Sequence, residues 1–376
     1  MQTAFHAMRP AVSRKPMFYT LEAMRGAAAF LIVDRHVGWL GTYDFPISGL
    51  AVDLFFLLSG AVLAHSYEDK LRTGKLSSGR YIGLRLIRLY PLYALFTLVG
   101  FANHAAAGPL TGADFAKLGS SLLFLPCIWI DGSVFPFDGP AWSIFFELLI
   151  SVVYGVALHD KSIKTLACVC GAAATLFIVQ AINQPGALDI AMTCQGVFET
   201  GLARVLFSFT YGVIIYRLAM RASAGESGLM SLIPLVAVCA MLMAPVESRW
   251  ITNGSIAVIL LAGLPACLFM ALVFPAPDSW RGPFRRLGAI SYAVYIGHVP
   301  LYHAADTVLK RQFHIDAMAY APYSGFIFVA ALVALAYGLH NAWDAPLRAR
   351  LRNSAAAESP SRARGSREGI PVQSMP

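Results

Sequence analysis

Ala51-Val-Asp53-Leu-Phe-Phe-Leu-Leu-Ser-Gly60 sits inside an apolar run from 48 to 66 that a water-facing surface has no use for. One acid, Asp53, interrupts it, and the run approaches the roughly 20 residues a helix needs to cross a hydrocarbon core. The rest of the chain reads the same way. Hydrophobic residues make up 57% and charged residues 13% of the 376 positions, with a mean hydropathy of +0.61. A soluble domain carries roughly a quarter charged residues, so the solvent for most of this chain is lipid.

Counting outward from that run gives spans near 20–41, 48–66, 86–106, 139–158, 163–182, 201–219, 229–246, 252–274, 287–306 and 321–343. The expected fold is an all-α polytopic membrane bundle of about ten transmembrane helices. A further run from Lys117 to Ile130 is short and has Pro126 near its end, so it reads as re-entrant or as an eleventh span. Charge separates the two. With ten spans and the N-terminus inside, most of the 29 Lys and Arg fall on the cytoplasmic side, among them Lys70, Arg80, Lys161, Lys164, Arg217, Arg221 and Arg281. Lys117, Arg204, Arg249, Lys310 and Arg311 fall outside. An eleventh span would export Lys161, Lys164, Arg217 and Arg221, against the positive-inside tendency. Ten spans with both termini cytoplasmic is therefore the expectation. It divides into a basic N-terminal segment at 1–19, a membrane domain at 20–346 and a basic tail at 347–376, disordered from about Asn353. The tail and the inner loops account for the net charge of +8 without nucleic acid as a partner.

The first span lacks a small-residue cleavage site and carries Arg25, Asp34, Arg35 and His36, so it reads as a retained helix rather than a removed leader. The six cysteines lie mostly in apolar runs without metal-site spacing, and no metal is expected.

Ionisable residues inside spans are expensive and face a bundle interior or a wet cavity. Arg25 and His36 are eleven positions apart, close to three helical turns, so they share a face about 16 Å apart along the axis. Asp34 and Arg35 lie on other faces and read as structural. Arg85 and Arg88 stand at i,i+3 at the start of the third span, as a ligand site or as anchors snorkelling to the headgroups. The fourth span carries Glu147 in Trp142-Ser-Ile-Phe-Phe-Glu147, and the ninth carries His298 and His303. Asp53 and Glu147 also suit a structural role as partners of the arginines, and His303 suits a helix-to-helix hydrogen bond.

Together these residues resemble the acyltransferase 3 family over nearly the whole chain. Arg25 followed by His36, Val52-Asp53-Leu-Phe-Phe-Leu-Leu-Ser59-Gly60, the Arg85/Arg88/Pro91 cluster, Trp142-Ser…Glu147, Ser291-Tyr…His298 and Trp343-Asp344-Ala-Pro346 occur in the family's order. Ala51 stands where a Gly is usual, and Asp344 where a Glu is usual. The resemblance implies transfer of an acyl group, often acetyl, from coenzyme A to a hydroxyl of a sugar, typically on a surface or exported polysaccharide, at the cytoplasmic membrane. It implies acyl-CoA as a donor substrate with no permanently bound cofactor, and a separate esterase-like or polysaccharide-biosynthesis protein as a partner. On that reading Arg25, Arg85 and Arg88 hold the donor's phosphates and His36 is the general base. Glu147 orients the base, and Asp53 and His298 support the site. The competing reading is a secondary transporter of an anionic or glycosidic solute, which internal repeats would favour; the sequence has no repeat period.

Overall fold

A computed structural model of the chain describes residues 17–41, 45, 47–127, 133–183, 197–223, 225–226, 228–244 and 256–357. The N-terminal stretch with Arg9, Arg14 and Lys15, along with Cys194, Arg249 and the tail beyond 357, lies outside them.

The described residues form helices and connections, with no strand. They comprise α1 (Tyr19–His36), α2 (Ala51–Arg72), α3 (Ser78–Ala107), α4 (Gly112–Leu122), α5 (Ala141–Val153), α6 (Ile163–Asn183), α7 (Val197–Ala219) and α8 (Ile233–Leu242). After these come α9 (Leu264–Val273), α10 (Asp278–Gln312), α11 (Tyr323–Leu339) and α12 (Ala345–Ala357). Single π-helical turns extend α5 at Tyr154–Leu158, precede α9 at Ile259–Gly263 and join α11 to α12 at His340–Asp344.

Sequence chemistry sets the ends. Glu22 lies in the first turn of α1 and Arg35 and His36 in its last, signs that match the helix dipole. α2 follows the same rule with Asp53 first and Lys70 and Arg72 last. The Ser77 hydroxyl accepts from Arg80 N at 3.3 Å to cap α3. Thr111 and Asp114 form a capping box that starts α4. Thr111 donates to Asp114 from its hydroxyl at 2.6 Å and its backbone at 2.9 Å, holding that carboxyl down at about 2.

Seven helices among the described residues are long and apolar enough to cross a membrane: 48–72, 78–107, 141–158, 163–180, 200–219, 256–273 and 323–351. The chain is a multi-pass membrane protein. Large apolar side chains face outward where a soluble protein would carry charge, among them Val258, Phe326 and Ile327. The helices pack as α1 along α10, α2 along α7, α6 along α7 and α3 along α10. The α2–α7 crossing is close: a Cβ on Gly60 would lie 2.1 Å from Phe209 O, and one on Gly212 would lie 2.0 Å from Leu57 O. Reciprocal glycines let two backbones touch, which is how helices without a hydrophobic driving force gain contact in lipid.

Several expectations change. The 117–130 run is not a continuous helix. Only its first residues, 117–122, belong to α4, whose 11 residues are far short of a span; 123–127 are not helical, and 128–130 lie outside the described residues. The ninth span lies within a 35-residue helix, about 52 Å long. Helix continues through Ala357, past both the 347 boundary and Asn353. Arg204, counted among the outer charges, is inside α7 at 2% exposure. His303 is exposed, its ring tilted 51° to that of Tyr302 at 5.4 Å between centroids, and its side chain makes no helix-to-helix hydrogen bond among the described residues.

Candidate active site

Arg25 leaves α1 toward α10 and ties the two together. Its Nε donates to Ser291 Oγ at 3.0 Å, and its Nη2 donates to Gly288 O at 2.8 Å and to Glu22 Oε2 at 2.5 Å. On α3, Arg85 donates through Nη2 to Glu147 Oε1 at 2.7 Å, and Ser59 Oγ on α2 donates to the same oxygen at 3.2 Å. Arg85 is 4% exposed and its Nε has no partner.

Arg25, Arg85, Arg88 and Glu147 line one cavity of about 350 Å³, as do Ser59, Ser143, Ser291, Tyr292 and Tyr295. Arg285, Asp344 and Arg348 complete its charged mouth. Arg348 is held by Asp344, to which it donates from both Nη2 and Nε. Arg88 and Arg285 make no hydrogen bond or ion pair among the described residues. Two guanidiniums with no carboxylate in ion-pair contact among the described residues, beside three more arginines, make a site that attracts an anion with several phosphates, since guanidinium stays charged and binds phosphate bidentately.

Along α10 the cavity wall runs from Arg285 through Gly288 and Ser291 to Tyr295, ten residues or about 15 Å. One turn further stands His298, fully buried. Its Nε2 lies 3.0 Å from His36 Nδ1, and its Nδ1 lies 2.5 Å from Tyr295 O. That geometry assigns the protons of the neutral pair. A carbonyl only accepts, so His298 Nδ1 carries a hydrogen and its Nε2 is an acceptor. His36 Nδ1–H therefore points at His298 and at Ile32 O, 3.0 Å away, leaving the lone pair of His36 on Nε2. Neither ring is on the cavity wall. Tyr295 stands between, its hydroxyl 2.7 Å from Ser143 Oγ and its ring centroid 6.0 Å from that of His298.

The structure gathers Arg25, Arg85, Arg88 and Glu147 around one cavity and pairs His36 with His298 beyond it. It does not bring Glu147 to His36; the carboxylate sits between Arg85 and Ser59. Asp53 is elsewhere. It forms a buried clasp with Arg204, Nη2 to Oδ2 at 2.5 Å and Nε to Oδ1 at 3.2 Å, both residues at 2% exposure or less. Arg204 also lies over the Trp142 ring at 5.6 Å. Asp34 and Arg35 are half-buried and off the cavity wall. Sequence reasoning missed Arg204, Arg285 and Arg348 as parts of the charged interior. The first sits in an apolar run, where its cost was the available signal; the other two look like ordinary inside-positive anchors.

The family described as an acyltransferase domain matches residues 18–339. "Protein 2 in picA locus" of Rhizobium radiobacter is 35% identical over 181 residues, covering 44% of this chain and 94% of that protein. "Putative membrane-bound transacylase BcsY" of Komagataeibacter xylinus is 26% identical over 333 residues, 80% of this chain and 76% of that protein. No solved structure matches the chain.

Proposed function

Since the chain belongs to the acyltransferase 3 family and is a multi-pass membrane acyltransferase, we propose that it moves an acyl group, acetyl in the simplest case, from coenzyme A to a sugar hydroxyl on a surface or exported polysaccharide. The observation that carries this reading is the arginine-lined cavity with an unpartnered Arg88, ending one helical turn short of a histidine pair.

The reading needs a membrane arrangement. To the seven long apolar helices it adds α1 and α10, long enough but charged along the face they turn to each other, and the apolar helical stretch Leu229–Leu242 that contains α8 and is longer than α4. That makes ten crossings in the bacterial inner membrane, with both ends and the arginine mouth in the cytoplasm, where acyl-CoA is made. Positive-inside charge supports this orientation.

The donor's phosphates then bind at Arg88 and Arg285, while the pantetheine arm extends along α10 past Ser291. The thioester reaches His36 beyond Tyr295. His36 Nε2 takes the proton from the acceptor hydroxyl as its oxygen attacks the thioester carbonyl. The tetrahedral intermediate collapses, the C–S bond breaks, and the proton passes to the leaving thiolate, giving an ester and free coenzyme A. His298 holds His36 in the tautomer that leaves Nε2 basic, the role a carboxylate plays in other base-orienting pairs. Glu147 fixes Arg85 and, through Ser59, the α2 wall. A separate esterase-like or polysaccharide-building protein is the natural partner.

Deletion of the gene, followed by mass spectrometry of ester groups on the cell's surface glycans, tests the reading. Loss of an esterase-sensitive group, restored by the wild-type gene but not by His36→Ala, is the expected result. An unchanged ester profile overturns the polysaccharide acceptor.

A further inference from the structure

Tyr295 stands at the junction of the two parts of the site. Its side chain lines the cavity, and its backbone carbonyl is the acceptor that fixes the His298 ring. Phe55 of α2 holds the phenol ring edge-on, 5.1 Å between centroids and 77° between planes. The phenol hydroxyl lies 2.7 Å from Ser143 Oγ on α5. Three helices thus place one hydroxyl where the cavity ends and the histidines begin. Resting on the acyl-CoA reading above, we propose that the Tyr295 hydroxyl donates to the thioester carbonyl of the donor and holds its oxygen as negative charge develops there. Ser143 positions that hydroxyl between turnovers.

The destination of each hydroxyl proton along the cavity carries the assignment. Ser59 donates to Glu147 Oε1 at 3.2 Å, Ser291 to Gly288 O at 2.8 Å and Tyr292 to Leu89 O at 2.6 Å. Ser143 donates to Pro140 O at 3.0 Å. Each of these protons sits on a carboxylate or a backbone carbonyl, and a substrate oxygen cannot take it without leaving that acceptor unsatisfied inside the bundle. Ser66 and Tyr67 also line the cavity, but about three helical turns along α2 from Phe55, at the arginine mouth. Tyr295 differs from all of them. With the Ser143 proton on Pro140 O, the short contact between the two hydroxyls is donation from Tyr295 to Ser143 Oγ; Pro140 O is 3.4 Å from the phenol oxygen. That acceptor is a neutral hydroxyl with a bond of its own, so an incoming carbonyl can take the Tyr295 proton and leave Ser143 on Pro140. A charged acceptor makes a stronger bond than a neutral one. The exchange therefore gains most in the transition state, which is the condition for lowering a barrier rather than only holding substrate.

The histidines leave this task open. His298 has its one N–H on Tyr295 O, and His36 Nδ1–H is turned to His298 and Ile32 O, so neither ring has a proton for an oxyanion. In the reaction the acceptor oxygen bonds to the thioester carbon as His36 Nε2 takes its proton, and the carbonyl π pair moves onto the oxygen held by Tyr295. That pair returns when the intermediate collapses, the C–S bond breaks, and His36 passes the proton to the thiolate. Tyr295 keeps its own proton throughout.

Infrared spectroscopy of acetyl-CoA labelled with carbon-13 at the carbonyl, bound to the full chain in lipid nanodiscs without acceptor, tests the proposal. The thioester stretch of wild type is expected below that of the same thioester in an aprotic solvent, and Tyr295→Phe returns it upward while Ser143→Ala keeps it low. Calorimetry adds S-ethyl-coenzyme A, a thioether with no carbonyl. Wild type binds acetyl-CoA about 2- to 10-fold more tightly than the thioether, the range for one neutral hydrogen bond. Tyr295→Phe removes that preference without changing affinity for the thioether, and Ser143→Ala retains it. In turnover, Tyr295→Phe lowers kcat roughly 10²- to 10³-fold, the effect of removing one oxyanion donor. A low stretch and a carbonyl preference that are absent from wild type, that survive Tyr295→Phe, or that are lost as fully in Ser143→Ala overturn the Tyr295 assignment and leave the donor reading in place. Wild type that binds neither coenzyme A derivative overturns both.

Discussion

Two groups of charges lie inside this bundle, and they are built on opposite principles. The Asp53–Arg204 clasp is closed. Two bonds join the side chains, the Trp142 ring lies under the guanidinium, and neither residue is more than 2% exposed. The arginine mouth is open: Arg88 and Arg285 line the cavity without a hydrogen bond or ion pair among the described residues, beside Arg25 and Arg85, which are spent on holding Glu22, Ser291 and Glu147. An ion pair buried in lipid is a fastener, and one that loses a partner leaves an uncompensated charge. An unpaired cation facing a cavity is a binding site in waiting. The difference predicts that substitutions on the cavity side change chemistry at constant fold, whereas substitutions in the clasp change the fold.

The largest effect on chemistry belongs to His36. His36→Ala is expected to lower transfer roughly 10²- to 10⁴-fold, the contribution of a positioned acid–base group, with yield and coenzyme A binding retained. His36→Gln is expected to be equally inactive, because an amide keeps a hydrogen bond to His298 yet takes no proton at neutral pH. His298→Gln separates positioning from catalysis. It keeps an acceptor for His36 Nδ1–H through its carbonyl, so it should retain more activity than His298→Ala. Turnover per mole of folded protein measures all four variants. Near-normal turnover in His36→Gln would move the base elsewhere and remove the mechanistic end of the cavity.

The clasp comes next. Asp53→Ala and Arg204→Ala each strand a buried charge, a loss of about 3–5 kcal/mol, and are expected to reduce the fraction of protein that elutes as a monodisperse peak in mild detergent. Asp53→Leu combined with Arg204→Met should recover much of that fraction, since an apolar pair of similar volume relieves the desolvation penalty. If the double variant folds and also transfers acyl groups, the clasp is structural. A folded double variant devoid of activity would place the clasp with the chemistry and collapse the contrast.

How much of this was legible beforehand follows the same division. Membrane character, helical class and the pairing of Arg25 with His36 on one face came from composition and spacing, because helical periodicity fixes which residues of one helix share a face. The family resemblance named Arg25, Arg85, Arg88 and Glu147, which line the cavity. What spacing does not carry is which charge meets which across helices. Glu147 finds Arg85 and Ser59 rather than His36, and Asp53 finds Arg204, through a tertiary arrangement set by contacts such as the Gly60–Gly212 crossing. Arg348 was hidden for another reason: α12 continues through sequence rich in Ala and Arg, whose good helix propensity outweighs the low-complexity look of the tail.

The smallest effect is the most discriminating, because it compares two arginines of the same cavity. Arg88 lies half-buried on α3, whereas Arg285 is exposed at the start of the cavity wall on α10. A partly desolvated guanidinium keeps its attraction for phosphate in salt, and an exposed one is screened within a Debye length of about 10 Å at 0.1 M. Arg88→Ala should therefore weaken coenzyme A binding about 10- to 100-fold, with Arg88→Lys recovering only part, because a point charge does not reproduce the bidentate fork. Arg285→Ala should cost a fewfold loss at low ionic strength, in the range of about 1 kcal/mol or less typical of exposed pairs, and almost nothing at high salt. Calorimetry at two salt concentrations reads both. Equal salt dependence for the two variants would mean that Arg88 is as hydrated as Arg285, and the cavity would be a solvent-filled vestibule rather than a nucleotide site.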